Sequence, residues 1–291
     1  MRIRVKFPTK KKFILFLASA SVVAIFLVFT LYEKEKDLQY DIVILGDSII
    51  GNVGTDGLSL TDYVEKAVGK STFKGGLGGT SMSMQTDSLW GSRSNMEWSM
   101  VKLATAMVSN DWKSQLAALA YADSYNGINN QVLPYFSETL NNLSRIDFSK
   151  VEILVIEHGT NDYGMGKPVD NGEDPYDITT FGGALRKSLK MLQKKYPDLR
   201  IVLMSPIYCN LGNEKQGHCY DTKYGEGGYL HEYVEKEKQI AEEFGVEWID
   251  AYHTCGIWEE NADIYLQDGL HLSPEGHKKM GEFLADYLNK K

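Results

Sequence analysis

The stretch DIVILGDSIIGN, from Asp41 to Asn52, decides the fold. Ile42, Val43, Ile44 and Leu45 form an unbroken apolar run rich in β-branched side chains, the pattern of a strand buried on both faces of a parallel sheet. The run stops at Gly46-Asp47-Ser48. Open α/β sheets place their ligands at the C-terminal ends of the strands, where amides of the following turn can point at an anion. A hydroxyl at that place makes Ser48 a candidate nucleophile. The same residues also read as a strand-ending turn in which Asp47 or Ser48 caps the next helix.

Outward from this stretch the chain alternates strands with helices. Leu60 to Val68 has helical spacing, and Ser71 to Lys74 leads into the glycine-rich GGLGGTS of Gly75 to Ser81. Glycines that dense mark a backbone that is approached closely or that needs positive φ. Ser81 to Lys150 is a long, mostly helical excursion with amphipathic spacing over Glu97 to Val108 and Trp112 to Ala122, a cap at Asn110 or Asp111, and a third helix over Val132 to Leu143. Trp90, Trp98 and Trp112 read as core packing, although an excursion of this length is also placed to roof a site. VEILVIE, from Val151 to Glu157, is the second buried strand, and it ends in His158-Gly159-Thr160-Asn161-Asp162. A helix over Phe181 to Tyr196, a strand over Arg200 to Ser205, a helix over Tyr229 to Phe244 and a short strand over Glu247 to Ala251 follow. The last helix runs from Pro274 to about Leu288, with Ser273 as its N-cap. This alternation predicts an α/β fold whose parallel sheet is covered on both faces.

At 291 residues, 43% hydrophobic and 24% charged, the chain has room for one sizeable core. The net charge of −8 hides an asymmetry: residues 1–12 carry Arg2, Arg4, Lys6, Lys10, Lys11 and Lys12 and no acid, which leaves −14 on the rest. An acidic domain without a basic stripe is poorly suited to nucleic acid, whose binding rests on phosphate neutralisation. Phe13 to Tyr32 is apolar or small throughout and uncharged, long enough to cross a ~30 Å hydrocarbon core as a helix. With the basic residues before it, the segment reads as a transmembrane signal anchor with a cytoplasmic N-terminus. A cleaved signal peptide is the rival reading, but the small-residue site Ala18-Ser19-Ala20 lies inside the apolar run rather than after it. The expected organisation is a basic segment (1–12), the anchor (13–32), a charged linker (33–40) and one catalytic-size domain (41–291). Cys209 and Cys219 flank a polar loop and admit either a disulfide or reduced thiols, with Cys255 left over. No Cys-x-x-Cys pair and no His-Glu-x-x-His spacing occurs, so neither a structural nor a catalytic metal is expected, and no cofactor. His158, His218, His231, His253 and His277 are accordingly read as packing or surface residues.

Just before the last helix stands Gln267-Asp268-Gly269-Leu270-His271. An Asp three residues ahead of a His in a turn can bond one imidazole nitrogen while the other faces a hydroxyl, the orienter and base of a serine triad. It can equally cap the turn while the His packs beneath the helix.

Four features now stand in order: Gly46-Asp47-Ser48 after the first strand, a glycine-rich turn after the second, Gly159-Thr160-Asn161-Asp162 after the third, and Asp268-Gly269-Leu270-His271 before the final helix. Together they resemble the SGNH hydrolases, the GDSL-like esterase/lipase superfamily, across Asp41 to Leu288. The resemblance implies a three-layer αβα sandwich with a flavodoxin-like parallel sheet of about five strands. It makes Ser48 the nucleophile and Asp268 with His271 the remainder of the triad. It also implies an oxyanion hole from the amides of Ser48 and Gly78 and the side chain of Asn161. Gly78 is chosen for its place before Gly79-Thr80, where the family commonly reads Gly-x-Thr. Ile49 stands where the family's first block has Leu, a change that conserves volume.

An outward-facing, membrane-held ester hydrolase would meet acylated glycans, so carbohydrate O-acetyl ester hydrolysis is the leading expectation. An envelope polysaccharide O-acyltransferase with the same triad, supplied by a membrane acyl-donor partner, comes second, and a lipase or lysophospholipase third. A glycan-binding or assembly protein that kept the fold without turnover is the non-enzymatic reading. The segments Ser81 to Lys150 and Asp162 to Ile178 are the expected seats of substrate choice.

Overall fold

The structure, a computed structural model, describes residues 36, 38–84, 96–124, 135–212 and 217–290, the side chains of 120–124 excepted. The chain divides into Met1–Asp37 and Leu38–Lys291, and only the second unit is described below. The apolar segment Phe13 to Tyr32, Val132 and Trp90 lie outside the described residues. Among the described residues no helix is long and apolar enough to cross a membrane.

Five parallel strands build one sheet: β1 (Ile42–Gly46), β2 (Thr72–Gly76), β3 (Ile153–Glu157), β4 (Arg200–Met204) and β5 (Glu247–Ile249), in the order β2-β1-β3-β4-β5. The helices are α1 (Ser48–Gly51), α2 (Leu60–Val68), α3 (Met100–Ser109), α4 (Lys113–Ser124), α5 (Tyr135–Leu143), α6 (Thr160–Gly164), α7 (Phe181–Lys195), α8 (Leu230–Phe244), α9 (Ala251–Thr254), α10 (Ala262–Tyr265) and α11 (Pro274–Asn289). Helix α2 packs on α11, while α3 packs on α7 and α7 on α8. The chain moves one way from β1 to β2 and the other way from β2 to β5, so right-handed crossovers set these two groups on opposite faces of the sheet. This is the expected α/β architecture.

The strands form because both their faces are covered. Ile42, Val43, Ile44 and Leu45 are fully buried, each contributing roughly 1.5–3 kcal/mol of transfer free energy. Helix ends follow local chemistry. Ser59 and Asp62 close a capping box on α2, and the Ser273 hydroxyl accepts from Gly276 N–H with Pro274 at the first turn of α11. Asn110 closes α3 at φ 54°, and Asp111 Oδ1 accepts from Lys113 N–H at the start of α4, so both expected capping residues act. Trp98 and Trp112 are buried core residues.

Two expectations are corrected. The helix read from Glu97 begins at Met100, and Gly75 and Gly76 belong to strand β2 instead of the turn beyond it. Strand geometry reaches into the glycines because α1 lies directly against β2. A Cβ on Gly76 would come within 2.7 Å of both Asp47 O and Gly51 Cα, which are backbone atoms that cannot give way. Gly79, at φ +74°, is the glycine of this run that needs the left-handed region. All three cysteines are buried free thiols. Cys209 and Cys219 lie opposite each other beside the Asn210–His218 bridge, with Cys219 N–H donating to Cys209 O at 3.0 Å.

The Gly51–Gly76 contact seats the serine-bearing turn on the sheet. Gly76→Ala is expected to destabilise the fold by about 3 kcal/mol through overpacking, lowering the melting temperature by roughly 6–12 °C. Thermal melting by circular dichroism checks this, and an unchanged melt would show that α1 yields.

Candidate active site

Parallel register aligns the strand ends that carry chemistry. Gly46 pairs with Gly76 on one side and with Glu157 on the other. The residues that follow β1, β2 and β3 therefore emerge side by side, at the point where the direction of strand order reverses. Asp47 caps α1, its Oδ1 accepting from Ile49 N–H at 2.9 Å. Ser48 is the first residue of that helix. The capping reading and the nucleophile reading thus hold together: Asp47 makes the cap, and the cap presents Ser48.

The base comes from the other end of the chain. Asp268 Oδ1 accepts from the N–H groups of Leu270 (3.1 Å) and His271 (2.7 Å), closing the turn. Gln267 N–H donates to His271 O at 2.8 Å, and Asn210 N–H donates to Gly269 O at 2.8 Å, so the turn is pinned from within and from the Cys209 segment. The result is a file of three groups. Ser48 Oγ lies 3.1 Å from His271 Nε2, and His271 Nδ1 lies 2.7 Å from Asp268 Oδ2. With a carboxylate on Nδ1, that nitrogen carries the proton and Nε2 is left to accept from the serine hydroxyl. Partial burial pulls the Asp268 carboxyl upward, but the bonds from the His271 ring and amide outweigh it and hold the group below its usual range. Asp268 therefore stays ionised at neutral pH. Its side chain is 51% exposed and that of His271 28%, so solvent competes for the orienting bond.

Asn161, at the start of α6, reaches across the strand ends. Its Nδ2 donates to Asp47 Oδ2 and to Thr80 O, both at 2.9 Å. Asp162 beside it is buried and accepts from Met82 N–H (2.8 Å), Ser83 N–H (2.9 Å) and the Ser83 hydroxyl (2.5 Å). The Gly78 N–H donates to the hydroxyl of Tyr135, the first residue of α5, at 3.1 Å. The structure thus gathers Ser48, His271, Asp268, Asn161 and Gly78 at one edge. The amide hydrogens of Asn161 and Gly78 already have protein acceptors, whereas the Ser48 N–H meets none among the described residues. Sequence reading missed Tyr135 and gave no role to Asp162. The polar cluster after β3 was a signal for Asp162, while nothing near Tyr135 in the chain announces its contact.

Buried ionisable groups surround the nucleophile. Burial pushes the Asp47 carboxyl up to about 6, against the pull of the Ile49 amide. Burial likewise raises Asp162 and, well above its usual value, Glu157. His158 is pushed down to about 3 by burial and stays neutral.

A parallel αβα sheet with a Ser-His-Asp file at its switch point is the arrangement of a serine-dependent ester hydrolase. The sequence profile of the GDSL-like lipase/acylhydrolase family matches residues 44–279, and the chain belongs to that family. It is an ester hydrolase by that membership. Among solved structures, it resembles a protein from Lactobacillus plantarum at 20% identity and TM-score 0.57, over 87% of this chain and 98% of that one. It is also similar to Est24, a carbohydrate acetylesterase from Sinorhizobium meliloti, at 17% identity and TM-score 0.46, over 86% and 98% of the two chains. A lipase/acylhydrolase from Enterococcus faecalis aligns at 16% identity and TM-score 0.47, over 86% and 95%. No curated protein matches the sequence. At these identities the likeness is one of fold.

Asp47 yields a pH prediction. Its folded value, near 6, lies above the unfolded carboxylate value, so the folded state holds this proton more tightly. The associated stability is present at low pH and is lost as pH rises through about 4 to 6. Asp47→Asn removes that slope. Between pH 4 and 7 the wild type is expected to lose about 2–3 kcal/mol relative to the variant, read from paired denaturant melts; parallel pH profiles would refute the assignment.

Proposed function

We propose that this chain is a membrane-anchored, extracytoplasmic serine esterase that removes acyl groups, foremost O-acetyl, from carbohydrate. The observation that carries the reading is the file of Ser48 Oγ, His271 and Asp268, closed by contacts of 3.1 and 2.7 Å. As Ser48 Oγ bonds to the ester carbonyl carbon, its proton passes to His271 Nε2 and the carbonyl π pair moves onto oxygen as an oxyanion. Collapse of this intermediate breaks the bond to the alcohol oxygen, which leaves with the proton from His271. Water then repeats the sequence on the acyl-serine, releasing the acid and restoring Ser48. Asp268 holds the imidazole tautomer and balances the imidazolium. The oxyanion is met by the Ser48 N–H, with Gly78 and Asn161 beside it.

Membrane anchorage is supported by the uncharged run Phe13 to Tyr32 behind six cations. A carbohydrate ester is supported by the outward orientation this implies. The charge of −14 on the rest of the chain weighs mildly against anionic polymers as substrates.

The test uses the full-length protein in detergent with a 4-nitrophenyl acetate substrate and an acetylated oligosaccharide. Ser48→Ala is expected to abolish turnover of both. Asp268→Asn should lower kcat by about 10²- to 10⁴-fold, nearer the smaller figure because the carboxylate is half in solvent. Acetyl appearing on a glycan acceptor rather than as free acetate would replace hydrolysis by transfer. Absence of turnover, with no labelling of Ser48 by a fluorophosphonate, would end the reading.

Anchorage is checked separately by fractionating expressing cells. The full chain is expected in the membrane fraction, and a form lacking residues 1–32 in the soluble one. Equal distribution of the two would count against the anchor.

A further inference from the structure

The hydroxyl of Tyr135 accepts the hydrogen of the glycine amide that was expected to serve the oxyanion hole directly. It lies 3.1 Å from Gly78 N, within ordinary hydrogen-bond range. Room for it exists because residue 51 is glycine: a Cβ there would lie 2.5 Å from the phenol oxygen. The ring is held by its position at the head of α5, next to Phe136 at a centroid distance of 5.1 Å, with Phe136 itself fully buried. Tyr135 is thus fixed, and fixed against the two glycines nearest the serine turn.

Hydrogen accounting at this edge decides what the hydroxyl does. The single Gly78 hydrogen is given to Tyr135, and both Asn161 amide hydrogens are given to Asp47 and Thr80. The phenol accepts one bond, and among the described residues its own hydrogen meets no acceptor. A polarised O–H with no acceptor among the described residues, next to the nucleophile's helix, is placed to donate to an incoming oxygen. Donation from Gly78 strengthens it, since a hydroxyl that accepts a bond becomes a better donor.

We propose that Tyr135 is an oxyanion-hole residue, its hydroxyl taking over the role of the Gly78 amide by donating to the substrate's developing oxyanion while accepting from that amide. Gly78 then acts through Tyr135, and its role in the reaction is to hold the phenol. Burial pushes this phenol up to about 12, so the donor keeps its proton at neutral pH. The nearby Asp47 carboxyl raises it further. The inference rests on Ser48 being the nucleophile.

The experiment compares full-length wild type, Ser48→Ala, Tyr135→Phe and Tyr135→Ala with 4-nitrophenyl acetate, together with inhibition by a phenylboronic acid that mimics the tetrahedral adduct on the serine. Tyr135→Phe keeps the ring and loses the hydroxyl, both as donor to the oxyanion and as acceptor from Gly78 N–H. It is expected to lower kcat about 10²-fold, with KM within about twofold, and to weaken boronate inhibition in parallel. A packing role would leave boronate and substrate affinities changing alike. If the hydroxyl merely blocked the hole, Tyr135→Phe would keep the wild-type rate and Tyr135→Ala would exceed it, and either result overturns the proposal. Should Tyr135→Phe melt early, 3-fluorotyrosine at position 135, which keeps the shape and acidifies the phenol, must alter kcat; an unchanged kcat refutes the role. Wild type without turnover or Ser48 labelling would instead remove the hydrolase reading on which this one stands.

Discussion

One side-chain amide holds the site together. Asn161 Nδ2 bridges the Asp47 carboxylate and the Thr80 carbonyl, and so joins the segments that follow β1, β2 and β3. Three parallel strands ending side by side leave polar backbone and side-chain groups in a place that water reaches poorly, and each such group left unpaired costs about 1–3 kcal/mol. Asn161 answers two of these demands at once. Asp162 answers three more by accepting from Met82, Ser83 N–H and the Ser83 hydroxyl. The glycine-rich turn, whose Leu77 and Met82 are buried in the core, is tied to the end of β3 by these two neighbouring residues. Asp47, held from the far side by Asn161, is then free to cap α1 and set the direction of Ser48.

The histidine half of the site depends on a different scaffold. His271 lies in a turn before α11, and α11 is held to α2 by close backbone approach at Gly281, where a Cβ would meet Leu60 O at 2.7 Å. A buried histidine adds to this contact: Leu60 N–H donates to His277 Nδ1 at 3.2 Å. Burial pushes His277 down to about 4, so it stays neutral and can accept. The reacting side chains of the two halves, one built on the sheet's C-terminal edge and one on the α2–α11 face, meet in the 3.1 Å contact between Ser48 and His271. Small shifts of α11 would therefore register first in that distance.

The sheet was readable in the sequence because parallel strands buried on both faces spell continuous apolar runs, as in Ile42 to Leu45 and Ile153 to Ile156. The caps at Ser273 and at Asn110 and Asp111 were readable because capping is local chemistry over three or four residues. The strand character of Gly75 and Gly76 was hidden, since glycine disfavours strands except where another backbone lies close, and the backbone in question belongs to α1. Ser48, Asp268, His271 and Asn161 stand in short motifs, and strand order brings Ser48 and Asn161 to one edge. Tyr135 could not be read, because its partner is 57 residues away and its ring is positioned by a helix whose packing no local pattern specifies.

The buried acids behind Ser48 fit this electrostatic arrangement. An oxyanion forming on that edge would be opposed by any fixed negative charge close behind it, and Asp47, Glu157 and Asp162 all lie there with little access to water. Desolvation raises all three, Glu157 well above its usual value, and both oxygens of Glu157 are without a partner among the described residues. Burial thereby opposes a negative charge on Glu157. The charge that remains on Asp47 and Asp162 is drawn into bonds with Ile49, Asn161, Met82 and Ser83. What negative potential the site does present is therefore at Asp268, on the far side of His271, where it favours the imidazolium that forms together with the oxyanion. Separation of these charges to opposite ends of the Ser48–His271 pair is what lets one sheet edge stabilise both.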